Sequence, residues 1–148
     1  KPVAQAAAKV QSQVTSNATS ISQRAAVDAL NGPDDDVKMM VTEFKRRRDF
    51  VLAQLSDVAR LELSEAHVAF YLFPCVKHFI GKKIDGTLIK DDVDLCYYFL
   101  NEEQLVMVPG TPFGARNYVR ISYACSMKEL EKGVKRLRDG FKKLSEAY

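Results

Sequence analysis

At 148 residues the chain has room for one domain, or for one domain and part of another. Its 47% hydrophobic and 28% charged content is ordinary for a soluble globular protein and is enough to build a core. The 22 basic and 19 acidic residues leave a net charge of +3, too mild to point to nucleic acid as a partner.

Cys75, Cys96 and Cys125 are too far apart for C-x-x-C spacing, and their odd number argues against a disulfide framework or a zinc site. Reduced, largely buried thiols are expected. No apolar run reaches the length of a membrane span, and none has the layout of a signal peptide. Asn17-Ala18-Thr19 fits a glycosylation pattern that is common by chance. The chain opens on Lys1-Pro2 rather than methionine, as a processed product or a piece of something longer would.

Residues 2–13, rich in alanine and glutamine, read as a helix with little apolar bulk. A polar loop over 14–20 follows. Ser20 is the expected cap of a helix over 21–30, with Gln23 in the capping-box position and Asn31-Gly32-Pro33 as the stop. These first thirty residues carry too few large apolar side chains to bury a core of their own. Asp34, Asp35 and Asp36 suit the positive end of a helix dipole, and Val37, Met40, Val41, Phe44, Val51, Leu52, Leu55 and Val58 extend a helical pattern behind them. The basic run 45–48 within it reads as a solvated helix face.

From Leu61 the pattern changes. Residues 61–63 and 68–76 read as strands, the second almost continuously apolar as a buried strand should be. A polar, glycine-containing loop covers 81–92, a helix 92–103, and a short strand 105–110 ends at Pro109-Gly110. Residues 118–124 alternate around Val119, Ile121 and Tyr123 as a last strand. Ser126, with Glu129 three residues on, caps a final helix whose apolar stripe is Leu130, Val134, Leu137, Phe141 and Leu144. The fold class is α/β (α+β-like): a small mixed sheet packed by helices, with a helical extension in front.

Four motifs go beyond this generic pattern. QSQVTSN (11–17) with SISQRAA (20–26), then AFYLFP (69–74), VPGTPFG (108–114) and YVRISYA (118–124), stand in order and at suitable spacing. Together they resemble the C-terminal region of class I/II, fold type I aminotransferases, in particular prokaryotic-type aspartate aminotransferases, from about Pro2 to Leu144. The resemblance implies that residues 1–33 are the end of a large cofactor-binding domain, 34–58 a long connecting helix, and 59–148 the small domain that closes over substrate. It implies pyridoxal 5'-phosphate as cofactor of the intact enzyme, amino acid and 2-oxo acid as substrates, a homodimer, and no nucleic-acid or membrane partner. The implied compartment is cytoplasmic, with mitochondrion or plastid left open.

The same resemblance assigns roles to residues. Arg120 in the RISYA motif would hold the substrate's α-carboxylate, because a planar guanidinium fork matches a carboxylate bidentately and so fixes the direction of the amino group. Read from periodicity alone, Arg120 is rather a strand arginine in a surface salt bridge, and the motif reverses that reading. Phe113 would line the same pocket, or else is a core aromatic following a turn shaped by Pro109 and Gly110. Ser12, Ser16 and Asn17 would face the active site of the neighbouring subunit. Ser12 would lie near the substrate's distal end, where its one hydroxyl cannot form a bidentate pair. Val68 stands where the family usually has glycine, and a β-branched residue would be strained there if φ were positive. No lysine here sits in the context of the one that binds the cofactor, so the chain alone is expected to bind none and to be inactive. His67 and His78 have no matching ligand or nucleophile. The alternative is a stand-alone carboxylate-binding or interaction module derived from such an enzyme. A basic nucleic-acid-binding helix over 45–48 ranks last.

Overall fold

The computed structural model describes residues 1–64 and 69–147. The chain divides into two compact units, Lys1–Met39 and Met40–Tyr148, with the boundary inside a helix. His67, Val68 and the start of the strand expected over 68–76 lie outside the described residues.

The first unit holds α1 (Pro2–Val14), α2 (Ser20–Asn31) and the beginning of α3 (Asp35–Leu55). Pro2 opens α1, where a missing N–H costs nothing. The cap of α2 is Thr19 rather than the expected Ser20. Thr19 Oγ1 accepts from the Ser22 amide at 3.3 Å, while the Gln23 side chain turns back to the Ala18 carbonyl at 2.7 Å. Adjacent hydroxyl residues make such a one-residue shift easy. Neither α1 nor α2 buries a residue. Val3, Val14, Ile21 and Leu30 are each about four-fifths exposed, in keeping with the shortage of core-forming side chains read from this segment.

In the second unit α3 ends at Leu55, three residues short of the expected Val58. Ser56 Oγ bonds back to the Ala53 carbonyl, and the Arg138 guanidinium takes both the Gln54 carbonyl and the Asp57 carboxylate. The last turn is thus satisfied from outside the helix.

The strands are shorter than their apolar runs. β1 (Tyr71–Leu72) and β4 (Val108–Pro109) both pair antiparallel with the central β5 (Val119–Ser122). Glu62 and Cys75 form only an isolated bridge, so the 61–63 run is not a full strand. Pro74 and Pro109 lack amides to donate, which limits the ladder on both sides of β5. The small sheet packed by helices is as expected, but its described pairings are all antiparallel, so the sheet is not mixed.

Where a loop was expected, β2 (Lys83–Ile84) and β3 (Thr87–Leu88) form a hairpin. Its turn residues Asp85 and Gly86 have φ of 47° and 82°, the paired positive values of a type I′ turn.

Helices α4 (Asp92–Glu102) and α5 (Met127–Glu146) complete the fold. Asp91 caps α4 by accepting from the Val93 and Asp94 amides, and Ser126 caps α5 by accepting from the Glu129 amide. The α5 stripe from Leu130 to Leu144 is buried as predicted, packed with Val51, Leu55, Leu72, Phe79, Leu95, Phe99 and Ile121. Cys75 and Cys96 are buried free thiols, whereas Cys125 is exposed.

Candidate functional site

Alternation in β5 decides which way its side chains face. Val119 and Ile121 enter the core, so Arg120 and Ser122 fall on the opposite face. Arg120 pairs across to Val108 and Ser122 to Tyr71, which puts Tyr71 beside Arg120. The Arg120 guanidinium lies 5.4 Å from the Tyr71 ring centre and 5.0 Å from that of Phe113. Two aromatic faces therefore flank it, an arrangement attractive for a delocalised planar cation. Phe113 meets Phe73 edge-on at 6.5 Å, and Phe73 stacks on Tyr118 at 5.4 Å, so the flanking rings are themselves braced. Among the described residues Arg120 makes no ion pair and no side-chain hydrogen bond.

Phe113 is not a core aromatic. Its side chain is about half exposed, at the end of a short 3-10 turn over Thr111–Phe113. Several hydrogen bonds hold that turn. Gly110 N–H donates to the Tyr118 carbonyl at 2.8 Å, and the Gly110 carbonyl accepts from Phe113 at 2.8 Å and Ala115 at 3.1 Å. A Cβ on Gly110 would overlap the Ala115 and Tyr118 carbonyl oxygens and the Tyr118 Cβ. Gly110→Ala should therefore destabilise the protein by about 1–3 kcal/mol, the usual range for forced overpacking. Denaturant unfolding of the variant beside the parent checks this.

The turn is also tied to α4. The Asp92 carboxylate is 1% exposed and accepts from the Thr111 amide at 2.8 Å and the Thr111 hydroxyl at 2.7 Å. Burial pushes this carboxyl up, but the Thr111 hydroxyl and amide bonds outweigh it and hold it below the ordinary aspartate value.

The structure thus brings Arg120 and Phe113 together, and adds Tyr71, Asp92 and Thr111, which sequence reasoning did not select. Ser12, Ser16 and Asn17 lie in the first unit and are exposed. Ser12 Oγ donates to the Lys9 carbonyl at 2.8 Å, and Ser16 adopts a positive φ of 60° just beyond α1. In the basic run, Arg46 and Arg47 bond to Glu43, pulling its carboxyl down to about 2, and Arg48 pairs with Asp49 at 2.7 Å. His78 is exposed and bonds to Glu62 at 3.2 Å. Among the described residues no group of three His, Cys, Asp or Glu side chains could hold a metal ion, and no helix is long and apolar enough to cross a membrane.

A sequence profile for "Aminotransferase class I and II" matches residues 1–137. A probable aspartate/prephenate aminotransferase of Rickettsia conorii is 46% identical over 129 residues, covering 86% of this chain and 32% of that protein. An aspartate aminotransferase of Rhizobium meliloti is 42% identical over 141 residues, covering 95% of this chain and 34% of the relative. A crystal structure of the aspartate aminotransferase from Rhizobium meliloti superposes with a TM-score of 0.84 at 41% identity, over 94% of this chain and 35% of that one. The chain belongs to the class I and II aminotransferase family. It spans about a third of the length of the curated relatives it matches.

The family implies pyridoxal phosphate in an intact enzyme. A lysine that forms an imine needs its amine equilibrium displaced downward. The described lysines with a resolved displacement, Lys77 and Lys143, move upward, chiefly through hydrogen bonds to Glu62 and Glu103. Each of these two ammonium groups is held by a carboxylate, at 2.8 Å for Lys77 and 2.7 Å for Lys143, so neither is a free amine that fits an imine with the cofactor.

Proposed function

We propose that this chain is the carboxylate-recognising portion of an aminotransferase whose intact form moves an amino group between aspartate and 2-oxoglutarate. The observation that carries this reading is the Arg120 guanidinium, flanked by Tyr71 and Phe113 and unmatched by a carboxylate among the described residues. Substrate acids of this class each bear a carboxylate beside the reacting carbon, and a fork of two parallel N–H donors fixes both its position and its plane. With the carboxylate fixed, the neighbouring amino or oxo group points in one direction, which is the entropic part of catalysis. The relatives' printed names, aspartate and aspartate/prephenate aminotransferases, favour aspartate as amino donor.

On the same reading, residues 1–33 close the large domain, 34–58 connect the domains, and 59–148 form the small domain that shuts over substrate. Ser12, Ser16 and Asn17 face a second subunit of a homodimer. The chain alone is inactive, because none of its lysines stands in the sequence context of the one that binds the cofactor.

The test is made on the full-length polypeptide. It should show a visible cofactor band that borohydride removes and that aspartate shifts. A polypeptide without such a band, and without amino-group exchange, would end the catalytic reading.

A further inference from the structure

We propose that Asp92 is a positioning residue for the carboxylate site, acting through Thr111 to hold Phe113 over Arg120. The inference rests on the reading of Arg120 given above and adds a specificity-determining device to it.

Capping α4 does not require Asp92, since Asp91 already accepts from both the Val93 and Asp94 amides. Asp92 turns inward instead and is 1% exposed. A buried carboxylate is costly unless it is paired or fully hydrogen-bonded. Among the described residues no cation pairs with Asp92. Neutral donors satisfy it: the Thr111 amide and hydroxyl take one oxygen each, and the Asp92 and Asn117 backbone add to them, at the favourable N-terminal end of α4. The two hydrogen bonds closest to ideal, both from Thr111, come from the first residue of the turn that ends in Phe113.

A continuous mechanical path follows. Leu95 and Phe99 root α4 in the core with no exposed surface. Asp92 transmits that fixed position to Thr111, the turn carries it to Phe113, and the Phe113 ring sits 5.0 Å from the guanidinium carbon. Phe113 itself is about half exposed and meets Phe73 only edge-on, so the clamp adds to that contact in fixing the ring. Without it Arg120 would keep its charge but lose one wall that sets the plane of its fork.

The experiment uses the full-length enzyme with Thr111→Val, Thr111→Ser, Asp92→Ala and Arg120→Ala. KM and kcat are measured for amino acid and oxo acid, and maleate serves as a carboxylate probe of binding. Thr111→Val keeps the amide bond and removes the hydroxyl donor. It should raise KM and the maleate dissociation constant about tenfold with kcat within about twofold, and Thr111→Ser should restore both. Asp92→Ala should have a larger effect in the same direction. Should it fail to fold, the two threonine variants still decide. If Thr111→Val lowers only thermal stability and leaves KM and maleate binding unchanged, Asp92 is a structural clamp and the inference is overturned. Arg120→Ala separates this failure from the deeper one. A large KM rise there with no effect of Thr111→Val sinks only the positioning role, whereas an unchanged KM for Arg120→Ala sinks the carboxylate site itself.

Discussion

Arg120→Ala in the full-length enzyme is expected to raise KM for both the amino acid and the oxo acid by ~10²- to 10³-fold. The magnitude follows from removing one partner of a hydrogen-bonded charge pair, which costs about 2–5 kcal/mol. The flanking rings of Tyr71 and Phe113 would remain, but an aromatic face without the cation offers a carboxylate only its negative quadrupole. Arg120→Lys should fall between wild type and alanine. It keeps the charge, yet a single ammonium cannot reproduce the planar fork or its stacking between two rings. Steady-state kinetics in both directions of the reaction check the pair. Equal KM values for wild type and alanine would show that the substrate's carboxylate is held elsewhere.

Phe141→Ala is expected to cost the second unit about 3–5 kcal/mol of stability, the range for emptying a buried aromatic position. Phe141 has no exposed surface, and its ring centre lies 4.7 Å from that of Phe79 and 4.8 Å from that of Phe99. Truncation therefore removes the contact joining α5 to α4 and to the turn at Lys77–Phe79. Phe113→Ala makes the contrast. That ring is about half exposed, so its loss should change stability by no more than roughly 1 kcal/mol while disturbing carboxylate binding. Denaturant midpoints of the two variants, measured together, separate the aromatic that holds the fold from the one that serves the site. Similar midpoints would refute the distinction.

How much of this was legible depended on how local the governing interaction was. The cap and stripe of α5 are local, and Ser126, Glu129 and the spacing from Leu130 to Leu144 gave its position closely. The start of α4 was legible for the same reason. The end of α3 was not, because its Gln54 carbonyl is taken by Arg138, far along the chain. Strand lengths were overread where Pro74 and Pro109 interrupt apolar runs that otherwise look uniform. Asp85-Gly86 between two short apolar stretches is a hairpin signal set inside a run polar enough to read as loop.

The candidate site divides in the same way. Arg120 could be selected because it stands in a recognisable motif on an alternating strand. Tyr71 could not, since it reaches Arg120 only once β1 and β5 pair in register. Asp92 looked like one more acidic residue in the first turn of a helix. Its burial and its bonds to Thr111 depend on how α4 packs against the 108–114 loop, which no spacing along the chain reveals.

The central claim is most directly tested by a structure of the full-length enzyme with maleate bound. The account predicts one maleate carboxylate on Arg120, held by two parallel N–H donors at about 2.7–2.9 Å, with Tyr71 and Phe113 still flanking the guanidinium. Maleate bound elsewhere, with Arg120 turned to a carboxylate of the protein, would contradict it.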